Sequence, residues 1–137
     1  MRWDLVSQWL AKSEEDLLVS GVILGAEITS YDTVGFHAQQ AAEKALKALL
    51  VRHQVDFRHT HEIYELLALA EPVAAGIHAR LAAAESLTPY AVDARYPGPQ
   101  PPLDKGEATR QVEVARAVVA HVHDLLRPYL DAGPPAG

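Results

Sequence analysis

Between Val34 and Ala48 an apolar and mostly small residue returns at every third or fourth position: Val34, Ala38, Ala41, Ala45, Ala48. That spacing is the period of an α-helix, and side chains this small let a neighbouring backbone come close. Leu46, Leu49 and Leu50 flank the stripe. The pattern predicts a central helix, from about Thr33 to Val55, on which other helices pack.

The same period runs through most of the chain. Val6, Leu10, Leu17 and Leu24 predict a first helix over Trp3 to Ile28, with side chains able to cap the next helix in Thr29-Ser30-Tyr31-Asp32. Thr60 caps a short third helix, His61 to Ala70, and Pro72 opens a fourth that ends near Ser86. Thr88-Pro89 reads as a further cap, starting a brief turn through Arg95. Pro97-Gly98-Pro99-Gln100-Pro101-Pro102 is a stiff loop that no helix crosses. Asp104-x-x-Glu107 then has the form of a capping box, and Val112, Ala115, Val119, Val122 and Leu126 give the last helix its apolar face. The expectation is an all-α fold, an antiparallel up-and-down bundle of four to five helices. Residues 1–131 form one domain in this reading, and 132–137 a frayed tail.

With 137 residues, half of them apolar and few aromatic, the chain has enough material for one core and favours closely packed helices over a β-sandwich. It has no cysteine, so no disulfide framework, thiol nucleophile or thiolate metal site exists. No stretch reaches the roughly 18–20 unbroken apolar residues of a spanning helix, and Met1-Arg2-Trp3-Asp4 opens no signal peptide, which points to the cytoplasm and to no membrane role. A net charge of −6 repels polyanions from the chain as a whole, so nucleic-acid binding requires a local basic patch.

Few chemical motifs survive inspection. Seven histidines invite a metal reading. His121 and His123 diverge by roughly 200° around a helix, however, and His53, His59 and His61 lack a helical i,i+4 pair, so no metal site is expected. Serine-hydrolase elbows, Walker loops and dinucleotide fingerprints are absent, and no cofactor is implied. The polar side of helix two says more. His37, Gln40, Lys44 and Lys47 are spaced to share one side, where two ammonium groups, an amide and an imidazole make an anion-binding surface. The alternative is an ordinary solvated face on which Glu43 and Lys47 pair across one turn.

Four stretches together carry a family resemblance. Trp9 to Leu17 (WLAKSEEDL), Phe36 to Leu50 (FHAQQAAEKALKALL), Thr60 to Leu67 (THEIYELL) and Arg95-Tyr96-Pro97 resemble, in order and spacing, the most recognisable segments of prokaryotic HEPN domains. The resemblance covers nearly the whole chain. It implies a helical bundle that often forms a homodimer and often partners a small nucleotidyltransferase chain in toxin–antitoxin-like modules. It further implies binding of a nucleotide or RNA. Lys44 and Lys47, with His61, Arg95 and Tyr96, suggest a pocket in which arginine pairs with phosphate and tyrosine stacks on a base; Tyr96 packing the end of the bundle, and Arg95 pairing with an acid such as Asp16, is the structural alternative.

Some members of the family are metal-independent ribonucleases bearing an arginine and, four to six residues later, a histidine. Arg116 to His121 fits that spelling. In the corresponding role His121 would assist proton transfer from a ribose hydroxyl and Arg116 would stabilise phosphate charge. Five residues leave the two side chains about 140° apart on a regular helix, so one phosphate meets both only if the helix distorts or a second copy supplies one of them. A third reading is a pure protein-interaction module that binds no ligand.

Overall fold

The computed structural model describes residues 2–91 and 101–136. Five α-helices, α1 (Arg2–Leu24), α2 (Asp32–Arg52), α3 (Ile63–Ala70), α4 (Ile77–Arg80) and α5 (Lys105–Asp131), are joined by a 3-10 helix over Ala82–Ala91. Among the described residues there is no strand. The all-α bundle expected from the apolar period is what forms.

Directions follow from the contacts. Ser13 Oγ donates to the carbonyl of Ala41 at 2.6 Å and Ser20 Oγ to that of Val34 at 2.9 Å, so α1 runs antiparallel to α2. These serines sit in the interface because a larger side chain would hold the helices apart, and their hydroxyls are satisfied by carbonyls of α2. Trp3 Nε1 donates to the carbonyl of Tyr129, which joins the start of α1 to the end of α5. The Arg52 guanidinium lies 4.3 Å from the Tyr129 ring centroid, so α2 and α5 finish at the same end.

Packed among α1, α3, α5 and the 3-10 helix, α2 is the axis of the core. Ala38, Ala41, Ala45, Ala48, Leu46 and Leu50 have no exposure at all, and Ala115, Val119, Val122 and Leu126 of α5 close against them, while Val112 packs with Tyr31, Val34 and Leu103 in a smaller cluster. Asp104 caps α5 as its spelling predicts, its Oδ1 accepting from the Glu107 amide at 2.8 Å.

Several helix boundaries depart from the expectation, and the third helix starts at Ile63 instead of His61. The first two helices end three residues early or more, at Leu24 and Arg52. The fourth helix does not start at Pro72. Instead the Glu71 carboxylate accepts from the amides of Gly76 at 2.6 Å and His78 at 3.0 Å, and Gly76, at φ +88°, turns the chain into the single turn of α4. The alanine-rich run that follows winds as 3-10 helix, with Pro89 inside it. At the C-terminus the Gly133 amide donates to the Leu130 carbonyl and closes α5, inside the segment read as a tail.

Candidate functional site

On its polar side α2 carries two carboxylate-centred clusters. In the first, Asp16 of α1 accepts from His37 Nδ1 at 2.8 Å and from Lys44 Nζ at 2.6 Å. His37 and Lys44 are two turns apart on α2, so both reach the same buried acid. In the second, Glu43 Oε1 accepts from His61 Nδ1 at 2.8 Å and from Gln39 Nε2 at 3.0 Å, while Oε2 accepts from Lys47 Nζ at 3.1 Å. Gln39 Nε2 also donates to the His61 carbonyl at 3.1 Å, and Gln40 Nε2 donates to Gln39 Oε1 at 2.7 Å.

Glu43 and Lys47 are each only 3% exposed. The Lys47 ammonium sits 5.7 Å from the Trp9 ring centroid and 5.6 Å from that of Phe57, so two π-faces and one carboxylate replace its water. Burial alone pushes the Glu43 carboxyl up. The bonds from Gln39, His61 and Lys47, with the lysine charge, outweigh it and hold the group below the ordinary glutamate value. Lys47 is therefore corrected from a ligand-facing group to a buried counter-ion. The Glu43–Lys47 pair foreseen on a solvated face does form, but in the interior.

An ionised carboxylate only accepts, so His37 and His61 both carry a proton on Nδ1. Their Nε2 atoms are left for other partners, and the rings are 26% and 48% exposed. His59 meets the edge of the His61 ring at 5.3 Å between centroids. His37, Gln40, Lys44 and His61 thus line a half-exposed polar band, although Lys44 is already paired. Asp16, taken in sequence as a partner for Arg95, is used by His37 and Lys44. Arg95 and Tyr96 lie outside the described residues.

The α5 candidates do not converge in one copy of the chain. Arg116 borders a recess with Glu14, Leu17, Leu18, Gly21 and Val22 of α1, and a methyl group on Gly21 would stand 3.8 Å from its guanidinium. His123 is on that flank too, 3.8 Å from Glu14. His121 takes the opposite flank, where partial burial and the charge of Arg80 lower its pKa and favour the neutral ring. The two side chains face different neighbours, as the divergence expected from a regular helix requires. Among the described residues no three histidine or acidic side chains could hold a metal ion.

Sequence reasoning missed Gln39 and the burial of Glu43. A usable signal was present: the alanines and leucines of α2 cover more of its circumference than a one-sided surface helix needs, so the polar arc was too narrow to be all solvent.

Comparison with known proteins places this arrangement. The crystal structure of the protein TT1696 from Thermus thermophilus is similar, with a TM-score of 0.73 and 30% identity over 87% of this chain and 96% of that one. The crystal structure of ST0689, described as an archaeal HEPN homologue, shares the fold at a TM-score of 0.71 and 24% identity, covering 88% of this chain and 97% of that one. No curated protein matches. The HEPN domain matches residues 6–125, which spans α1 to most of α5 and both carboxylate clusters, and the chain belongs to the HEPN family.

Proposed function

We propose that this HEPN protein binds a phosphate-bearing ligand, a nucleotide or an RNA segment, along the polar side of α2. The observation that carries the reading is the pair of half-exposed imidazoles, His37 and His61, each tied through Nδ1 to a buried carboxylate. Gln40 and Lys44 lie beside them, and Arg95 and Tyr96 are assigned from the family resemblance alone the roles of pairing with phosphate and stacking on a base. No helix among the described residues is long and apolar enough to cross a membrane. The protein acts in the cytoplasm as one half of a HEPN–nucleotidyltransferase module of the toxin–antitoxin type, the partnership that its family resemblance implies. It pairs as a homodimer that covers the α1 flank, where Leu18 and Val22 are each 68% exposed. Calorimetry with AMP, ATP and a short oligoribonucleotide tests the binding, and affinity purification tests the partner. Absence of both heat and a co-purifying chain would sink the reading.

One feature favours a metal-independent endoribonuclease as the second reading: partial burial and the charge of Arg80 lower the pKa of His121, which favours the neutral imidazole that can accept a proton. Because Arg116 occupies the other flank of α5, a catalytic pair requires Arg116 of one copy and His121 of another. RNA incubated with the protein in EDTA tells the readings apart. Intact RNA supports the binding module, and cleavage lost in both Arg116→Ala and His121→Ala supports the nuclease.

A further inference from the structure

We propose that His61 is the group that touches the ligand at the junction of α2 and α3, through Nε2, and that Glu43, Gln39 and Lys47 are positioning residues behind it. This rests on the ligand-binding reading above and assigns the atom that makes the contact and the residues that aim it.

His61 is held at two points. Its ring is fixed by Glu43 at 2.8 Å and its carbonyl by Gln39 at 3.1 Å. Glu43 is held in turn by Lys47, and Lys47 by the rings of Trp9 and Phe57. Everything in this chain of contacts except the imidazole itself is buried or partly buried. Removing an ion pair from water costs several kcal/mol per ion before the attraction offsets it, so the device needs a purpose.

Capping α3 is not that purpose. The Thr60 hydroxyl already accepts from the Glu62 amide at 3.1 Å, and the Thr88 hydroxyl from the Ile63 amide at 3.2 Å. Docking the loop onto α2 is achieved by the neutral bond from Gln39 to the His61 carbonyl. What the Glu43–Lys47 pair adds is a fixed ring plane and a fixed tautomer at a surface imidazole.

That tautomer decides the chemistry. With Nδ1–H committed to Glu43, neutral His61 offers a lone pair at Nε2, and protonated His61 offers an N–H there. The first accepts a bond from a ribose hydroxyl, and the second donates one to a phosphate oxygen. Because Lys47 balances the charge of Glu43, the buried acid does not repel an incoming anion. His37 repeats the arrangement on Asp16, about 9 Å along the axis of α2 from Glu43. A ligand with both ribose and phosphate groups uses both imidazoles.

The experiment is long-range nitrogen–proton NMR of the histidine rings in the full-length protein, titrated with inorganic phosphate, then AMP, then a short oligoadenylate. The expected result is a saturable shift of His61 Nε2 with the Nδ1 proton retained. His61→Gln should weaken AMP binding about tenfold, the loss of one charge-assisted hydrogen bond, with only a small drop in unfolding temperature because Gln39 and Lys47 still satisfy Glu43. Glu43→Gln, which keeps an acceptor for Nδ1 but not its charge, should weaken binding less and release the tautomer. Binding of AMP or the oligonucleotide with His61 Nε2 unmoved, or with full affinity in His61→Gln, overturns this assignment and leaves the ligand-binding reading standing. No binding of any probe overturns both. A shift with the oligonucleotide but not AMP assigns the site to an RNA strand, and a shift with AMP alone to a free nucleotide.

Discussion

The polar side of α2 and the outer face of α5 carry similar residue types and have opposite structures. Along α2, carboxylates sit beneath the surface and gather donors from the helix and from the loop before α3, so Glu43 alone joins Gln39, Lys47 and a histidine from beyond the helix. On α5 the charges are exposed and pair locally, Arg110 with Glu107 and Arg127 with Asp124. Pairs of that second kind contribute about 0–1 kcal/mol. A buried network is organised by the fold, whereas a surface spelling such as Arg116 to His121 is organised by nothing but the helix that bears it. The region with the better-known spelling therefore has the weaker geometry.

The largest effect that tests this contrast is at Glu43. Glu43→Ala strands the Lys47 ammonium in the interior and should cost about 3–5 kcal/mol in urea unfolding. Glu43→Leu combined with Lys47→Met should recover much of that loss. A cost below about 1 kcal/mol for Glu43→Ala, the range of exposed pairs, would erase the difference between the two regions.

Glycine substitutions sharpen it with opposite signs. A methyl group at Gly35 of α2 would stand 3.0 Å from Leu103 Cδ2 and 3.1 Å from the Tyr90 ring. Gly35→Ala should destabilise by about 1 kcal/mol after the gain in helix propensity is counted. In the first turn of α5 a methyl at Gly106 meets only an Asp104 oxygen, at 3.4 Å, and Gly106→Ala should stabilise by about 0.5 kcal/mol. Thermal unfolding of both variants checks the pair; equal signs would contradict the close packing around α2.

Acid separates the regions further. Glu43 has a folded pKa below its ordinary 4.5, so its contribution is complete above that value and is lost as pH falls through the folded one. His121 also has a lowered pKa, from 6.5, because burial and Arg80 disfavour its charge. Its contribution is complete above pH 6.5 and declines as acid forces the ring to protonate. Stability measured against pH should therefore have a shallower upper slope in His121→Ala, where His53 still contributes, and a shallower lower slope in Glu43→Gln, where Glu65 and Glu71 still contribute. Unchanged profiles would show that neither group is perturbed by its surroundings.

How much of this was legible in sequence depended on how local the cause was. The apolar positions of α5 and its Asp104 cap read correctly because period and cap act within one helix. The turn at Gly76 did not, since the Glu71 carboxylate that sets it reaches five and seven residues ahead, where Pro72 advertised a different start. His37, Gln40, Lys44 and Lys47 were correctly placed on one side of a helix. That side faces Asp16 on α1 and Phe57 beyond α2, and only tertiary packing decides which polar residues stay wet. Lys47 was lost to the core for that reason, and His61 gained a carboxylate.

The smallest stability effect belongs to the α5 pair, and it comes with the clearest logic. Arg116→Ala and His121→Ala remove exposed or half-exposed side chains and should each change stability by no more than about 0.5 kcal/mol. Any EDTA-resistant cleavage must then be built from two copies, because the two side chains leave α5 on opposite flanks. Mixing the two inactive variants distinguishes the cases. In a two-fold dimer, a mixed pair keeps one site with an intact Arg116 from one copy and an intact His121 from the other. With random exchange half the dimers are mixed and each has one of its two sites, so about a quarter of the wild-type rate should return. A mixture that stays inactive would place both groups on one phosphate within a single chain, and α5 would have to distort to allow it.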